Sequence, residues 1–304
     1  MDIELSGSWL PGNRDNITRM IAARGRAGNA PLAVFDLDQT CIKGDIGYAF
    51  FYTMIENILF KHRFKPFRQT FLEYNVGGHA EKLLIFLDEA RGDKAALDRD
   101  DFILLFYDLH SAIRDELGDR DLFRWMAGLL LGWGSDDVRE EAGRLLRRAL
   151  IEPLSIKILA ADAYRQWEVP TGIRVYREIN QLISVLQEYG FDVWIISATS
   201  QPIVEAAGEF LGVPPGKCIG VRFVVKDGVL VSLAQTVTYR EGKVEAIKEL
   251  IGKKPVFVAG DSYTDWEMLA YCDGVSLLLD RGKQDLVEYG KEHGWLIQPL
   301  FEID

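Results

Sequence analysis

Cysteine is scarce and scattered. The three, Cys41, Cys218 and Cys272, are far apart and odd in number, which argues against a disulfide framework or a cysteine metal cluster and fits a reducing cytoplasm. The four histidines, His62, His79, His110 and His293, show no ligand spacing and are expected to be structural or exposed. Met1 to Pro11 carries neither a basic leader followed by an apolar stretch nor a small-residue cleavage site, so no export signal is expected. Long apolar runs are missing as well. Phe102 to Tyr107 and Leu129 to Leu131 fall well short of the roughly 20 residues needed to cross a bilayer, and no membrane partner is expected. Positive charge is in deficit, and a formal net charge of −11 argues against a general nucleic-acid binder. A small anionic substrate remains compatible, because a bound cation with one or two basic side chains reverses the field locally. Repeats and low-complexity tracts are absent, and 48% hydrophobic with 27% charged residues is the balance of an ordinary globular chain. Nothing in the sequence fixes the oligomeric state.

What is present starts at residue 31. At 304 residues the chain has room for one domain with a large insertion or for two domains. A short amphipathic helix over 13–25 leads to an apolar run over 31–37, short enough for a buried strand, which ends in Asp36 and Asp38 with Thr40 just beyond. Burying two carboxylates without partners is expensive, and the carboxyl end of a parallel strand is where they meet a ligand. Two carboxylates one residue apart suit a division of labour, one attacking or binding a cation and the other exchanging a proton. Alone, the pattern also fits a strand end followed by a helix cap.

Gly44 and Gly47 bracket the start of another apolar periodic run reaching about Phe60. The segments near 81–91, 101–117, 120–131, 136–151 and 155–167 show helical spacing, punctuated by Gly77-Gly78, Gly92, Gly118 and Gly132 to Gly134. No strand is expected there, so the insertion reads as all-helical. After Val169 to Gly172 the texture alternates: helix 172–189, strand 193–196, helix 201–211, a hairpin around Lys226-Asp227-Gly228, helix 242–251, strand 255–259, helix 264–271 and strand 275–279. Such alternation predicts an α/β fold, a doubly wound, mostly parallel sheet, interrupted by the helical block. The tail from Trp295 to Phe301 is expected to pack back on this core.

Three further places carry polar chemistry. The strand ending Ile195-Ile196-Ser197-Ala198-Thr199 puts a hydroxyl and free N–H groups before a helix, which suits an anion and equally suits a helix cap. Lys243 opens another helix, where the dipole disfavours a cation unless an anion lies in front of it; a solvated surface lysine is the plainer reading. Phe257 to Ala259 ends in Gly260-Asp261, with Asp265 four residues on at the start of a helix, and carboxylates so placed suit a hard cation such as Mg²⁺.

As an ordered set, Asp36-Leu37-Asp38-Gln39-Thr40, Ser197, Lys243, and Gly260-Asp261-Ser262 with Asp265 resemble the four motifs of the haloacid dehalogenase superfamily of phosphotransferases. The resemblance covers roughly 31–45 and 170–280. It implies a core over 1–44 and 169–304, with residues 45–168 as a helical cap like that of the phosphoserine phosphatase branch. The insertion is longer than in phosphoserine phosphatase and is similar in this to phosphorylcholine phosphatases. Also implied are Asp36 as nucleophile through an aspartyl-phosphate and Asp38 as the proton donor and acceptor. Ser197, Ala198 and Lys243 would bind phosphoryl oxygens. Mg²⁺ would be held by Asp36, Asp261 and the carbonyl of Asp38, with Thr40 and Asp265 in support. The substrate would be a small phosphorylated metabolite. Asp38 favours phosphomonoester chemistry, since true dehalogenases in the superfamily lack this second acid.

Asp45 stands where phosphoserine phosphatases place an acid against the substrate's amino group, although a helix cap explains it as well. Tyr48, Tyr52, Trp125, Trp133 and Trp167 are candidates for a quaternary-ammonium cage or for plain core. Gly44 and residues 169–172 are the expected hinges. Ala198-Thr199-Ser200 depart from the glycines common in the second motif. Transfer of the phosphoryl group to an alcohol, or a binding protein that kept the fold without activity, are the alternatives.

Overall fold

The central sheet grows from Leu32–Phe35 (β1), whose four side chains are almost fully buried. The computed structural model describes residues 3–25, 28, 30–89 and 98–303; Gly92, expected as a helix stop, lies outside them. Before β1 comes helix Pro11–Arg24 (α1), and after it the short strand Ile42–Lys43 (β2). Helices Ile46–Glu56 (α2), Lys65–Glu73 (α3), His79–Glu89 (α4), Arg99–Leu117 (α5), Asp119–Gly128 (α6) and Ser135–Ala149 (α7) follow. Next come strands Ser155–Ala161 (β3), Gln166–Thr171 (β4) and Arg174–Val175 (β5), helix Arg177–Glu188 (α8), strand Asp192–Ser200 (β6) and helix Gln201–Phe210 (α9). The chain continues with strands Cys218–Val221 (β7), Phe223–Lys226 (β8) and Val229–Leu233 (β9), then helix Glu241–Ala246 (α10), extended by a π-turn over Ile247–Ile251. It ends with strand Phe257–Gly260 (β10), helix Trp266–Tyr271 (α11), strand Val275–Asp280 (β11), helix Gln284–Glu292 (α12) and strand Leu296–Pro299 (β12).

The chain forms two units, one of residues 1–45, 173–220 and 238–304, the other of residues 46–172 and 221–237. The first holds a six-stranded sheet ordered β12-β11-β10-β1-β6-β7. β1 pairs in parallel with both β6 and β10, β10 with β11, and β11 with β12. Leu32, Val34, Ile196, Val258 and Leu278 pack with Ala246, Met268, Leu269 and Leu286 of the helices. Ala33, Phe35, Phe257 and Ala259, at the alternate positions, are equally buried. Burial on both faces is why these strands read as unbroken apolar runs. The register pairs Phe35 with Ile195 and with Ala259, so the carboxyl ends of three adjacent parallel strands lie at one edge of the sheet. The tail does pack back, as the edge strand β12, and α12 and β7 add elements that the sequence pattern had not separated.

The second unit is mostly helical, and α3 is an additional helix there. Its helices use ordinary end signals: Asp98 caps α5 by accepting the N–H groups of Asp100 and Asp101 at 3.1 and 3.2 Å, and Gly118 ends it at φ 87°. The segment 155–167, expected as helix, is instead the antiparallel pair β3–β4. Ile156, Leu159 and Ala160 sit at helical spacing, but only Leu159 and Ala160 are buried, while Ile156 and Ile158 are exposed. The insertion is therefore not all-helical. The hairpin β8–β9 turns at Asp227 and Gly228, both at positive φ as a tight hairpin turn requires. Expected with the core, it belongs with the helical unit, because a lone hairpin is marginal and this one pairs with the loop before α7: Gly132 N–H donates to Leu230 O and Leu230 N–H to Trp133 O, both at 2.9 Å. Among the described residues no helix is long and apolar enough to cross a membrane.

Candidate active site

The turn that follows β1 places the first two acids. The Leu37 carbonyl accepts the N–H groups of Thr40, Cys41 and Ile42, and Gln39 sits at φ 67°, a left-handed conformation that costs a non-glycine residue about 1 kcal/mol. Asp36 is fixed to the neighbouring strand by its own N–H, which donates to Ala259 O at 2.9 Å.

Around it gather groups from three other strand or helix ends. Lys243, on α10, has a side chain with no exposure at all, and its Nζ donates to Asp36 Oδ1 and to Asp265 Oδ1, each at 2.6 Å. A solvated surface lysine is thereby excluded. Asp265 Oδ2 accepts the N–H groups of Asp261 at 3.0 Å and Ser262 at 3.2 Å, so this carboxylate both pairs the lysine and fastens the turn after β10. Gly260 makes room for it: a Cβ there would lie 2.6 Å from the Asp265 Cβ. Asp261 accepts from Thr40 Oγ1 at 3.1 Å and from Arg281 Nη1 at 2.7 Å. On the other side of β1, Asp38 Oδ2 accepts the hydroxyls of Ser197 at 3.2 Å and Thr199 at 3.0 Å. Thr238 holds the Ser197 carbonyl from below, donating at 2.5 Å.

Asp36, Asp261 and Asp265 are buried and offer oxygens within 4.8 Å of one another, against two cations, Lys243 and Arg281. Burial first, and then Asp265 and Asp261, push the Asp36 carboxyl well above the usual range despite Lys243. The same causes, burial and Asp265, raise Asp261 to about 6 against the pull of Arg281 and Thr40. Burial works against the Lys243 ammonium, but Asp265 and Asp36 outweigh it and hold the group charged. Surplus negative charge on hard oxygen donors fits a small divalent cation. The Tyr176 hydroxyl is fully buried and has no hydrogen-bond partner among the described residues, and burial lifts its pKa to about 12.

Of the residues expected from the sequence, Asp36, Thr40, Lys243, Asp261 and Asp265 are joined in one network by the bonds just given, and Asp38 and Ser197 are joined in a second. Ala198 follows Ser197 in β6. Asp45 stands apart from those bonds, half-buried directly before α2. Gly44 and Gly172 lie at φ 107° and 76°. Within the helical unit Tyr48, Tyr52, Trp125 and Trp167 meet around Phe51 and His110, whereas Trp133 is elsewhere, donating to Leu59 O under the Lys61 ammonium. The five therefore do not form one cage. His110 is buried, which with Arg114 lowers its pKa to about 3, so it is a neutral packing residue. Arg281, Thr199, Tyr176 and Thr238 were not expected at the site. Arg281 had a legible signal, since β11 too ends in charged residues, Asp280-Arg281, and Thr199 had one as a departure from the glycines common in the second motif; Tyr176 and Thr238 had none.

The profile of haloacid dehalogenase-like hydrolases matches residues 96–270, more than half of the 304. The chain belongs to the haloacid dehalogenase-like hydrolase family. In this hydrolase the matched stretch contains Ser197, Lys243, Asp261 and Asp265, while the Asp36 turn precedes it and joins them through the sheet. Among solved structures, a conserved functionally unknown protein from Anaerococcus prevotii is 21% identical, with a TM-score of 0.72 over 97% of this chain and 94% of that one. A protein of unknown function from Bordetella pertussis is 17% identical, with a TM-score of 0.58 over 89% and 98%. Both share the fold. No curated protein sequence matches the chain significantly.

Proposed function

We propose that this hydrolase is a Mg²⁺-dependent phosphatase acting on a small phosphomonoester through an aspartyl-phosphate. The observation that carries the proposal is the buried Lys243 ammonium bridging Asp36 and Asp265 beside Asp261, an arrangement suited to neutralising a phosphoryl group brought against a carboxylate. An Asp36 oxygen attacks phosphorus, the bond to the ester oxygen breaks, and Asp38 gives that oxygen a proton. Asp38 then takes a proton from water, whose oxygen attacks the phosphoryl group and frees Asp36 and inorganic phosphate. Ser197, the Ala198 backbone and Lys243 bind the phosphoryl oxygens. Asp36 and Asp261, with the Asp38 carbonyl, are the residues that would hold Mg²⁺, and Asp265 keeps Asp261 and Lys243 in place. When bound, the ion supplies the positive charge that lets two anions meet.

Asp261 also sets a pH dependence. Its carboxyl keeps a proton up to about pH 6 in the folded protein, whereas an unfolded chain releases it near the ordinary value of 3.8. The metal-free protein therefore loses stability as pH rises through that interval, and Mg²⁺ must displace a proton below it. The rise in Tm on adding Mg²⁺ is expected to be small at about pH 5 and to grow towards pH 7; a rise independent of pH contradicts the assignment.

The test of function is phosphate release from phosphoserine, phosphocholine, phosphoethanolamine, sugar phosphates, nucleotides and an aryl phosphate, with Mg²⁺ and with chelator. Chelator-sensitive release is expected; no turnover of any of them overturns the reading in favour of a transferase or a binding protein. Asp45 is assigned to a positive group on the substrate. Asp45→Asn is accordingly expected to weaken an aminoalkyl phosphate about tenfold more than a neutral one, and equal losses remove that assignment.

A further inference from the structure

Two hydroxyls converge on one oxygen of Asp38. Ser197 and Thr199 occupy the same face of β6, two residues apart, and both donate to Asp38 Oδ2, at 3.2 and 3.0 Å. Ser197 Oγ in turn accepts the Thr199 N–H at 3.0 Å. Both side chains are buried, Ser197 at 2% and Thr199 at 8% exposure. A hydroxyl carries a single hydrogen. In the reaction proposed above, on which this inference rests, the Ser197 hydrogen is directed at a phosphoryl oxygen and is withdrawn from Asp38. Of the two, Thr199 is the one that stays.

We propose that Thr199 is a positioning residue for Asp38. By donating to Oδ2 it keeps that oxygen in the accepting role, so the exchangeable proton resides on Oδ1 and the carboxyl plane is held while the ester bond breaks. As the Asp36–phosphorus bond forms and the bond from phosphorus to the ester oxygen breaks, the proton passes from Asp38 Oδ1 to the departing oxygen. In the second half Oδ1 receives a proton from the attacking water. A glycine at residue 199 would supply no such donor, and the threonine's branched Cβ limits the directions its hydroxyl takes.

The assignment makes the effect of losing Thr199 depend on the leaving group. An alkoxide is a poor leaving group that requires the proton; 4-nitrophenolate departs with little help. The constant kcat/KM reports the steps up to leaving-group departure, so it isolates this proton transfer from the later hydrolysis. Wild type, Thr199→Val and Thr199→Ser are to be assayed with 2-aminoethyl phosphate and with 4-nitrophenyl phosphate. General acid catalysis contributes roughly 10²–10⁴-fold, and misplacing the acid is expected to remove a part of that. For Thr199→Val, kcat/KM on the alkyl ester is expected to fall at least about tenfold more than on the aryl ester, and Thr199→Ser is expected to restore the wild-type ratio. Because both esters are read on the same preparation, partial misfolding cancels in the ratio. Equal losses on the two esters, or a serine variant as impaired as the valine one, overturn the role of Thr199 while leaving the phosphatase reading intact. A wild-type protein that turns over neither these two esters nor any other member of the panel given above overturns that reading and this assignment with it.

Discussion

Asp36→Asn lowers phosphate release by roughly four to six orders of magnitude, the scale on which loss of a covalent nucleophile acts, while the protein stays folded. The second half of this expectation comes from the charge arrangement. Lys243 retains Asp265 at 2.6 Å when Asp36 is neutralised, so no buried cation is stranded. One of three crowded carboxylates has meanwhile been removed, and burial and its acidic neighbours had driven Asp36 well above its ordinary pKa. Without metal, the variant is therefore expected to melt at or above the wild-type temperature, with the Mg²⁺-induced rise reduced or lost. Melting curves with and without the ion, run beside the activity assay, check both. A variant that keeps substantial activity removes Asp36 from the chemistry, and one that unfolds shows that the carboxylate is structural.

Asp265→Ala is expected to have the opposite profile, a large loss of stability. This carboxylate has no exposed surface, pairs Lys243, and accepts the Asp261 and Ser262 N–H groups. Lys243 keeps Asp36, but the Asp261 and Ser262 N–H groups are left without an acceptor at about 1–3 kcal/mol each, which lowers Tm by on the order of 10 °C. Asp265→Asn keeps an oxygen in place for the two N–H groups and is expected to lose less. The two melting temperatures decide the matter: an alanine variant as stable as wild type contradicts the bridging role. Gly260→Ala acts through the same residue, because its Cβ would meet the Asp265 side chain at 2.6 Å.

The strand ends were legible because each joins two signals that rarely coincide, a run of buried aliphatic residues and an abrupt carboxylate or hydroxyl. Asp36, Ser197 and Asp261 share this form, and the parallel register brings all three to one edge. Lys243 was legible only in company; on its own nothing distinguishes a buried lysine from a surface one, since its burial depends on Asp36 and Asp265 arriving from more than 200 and from 22 residues away. Thr199 was visible as a departure from glycine, but its partner, Asp38, is 161 residues distant. The segment 155–167 was misread because Ile156, Leu159 and Ala160 imitate a helix, and only their burial in the strand pairing separates the two periods. The hairpin at Asp227-Gly228 was clear from its turn chemistry, yet turn chemistry is local and says nothing of which unit the hairpin joins. Its partner, the loop at 132–135, is set by tertiary packing.

The central claim is that Asp36 carries the phosphoryl group between two half-reactions. Its most direct test is acid quenching of the Asp38→Asn variant after mixing with 4-nitrophenyl phosphate and Mg²⁺, followed by mass spectrometry of the peptide containing Asp36. Because the good leaving group departs without help while hydrolysis of the intermediate lacks its base, the phosphoryl adduct is expected to accumulate on Asp36, and to be absent when chelator replaces Mg²⁺. An unmodified Asp36 in a variant that still releases a stoichiometric burst of nitrophenolate would contradict the account.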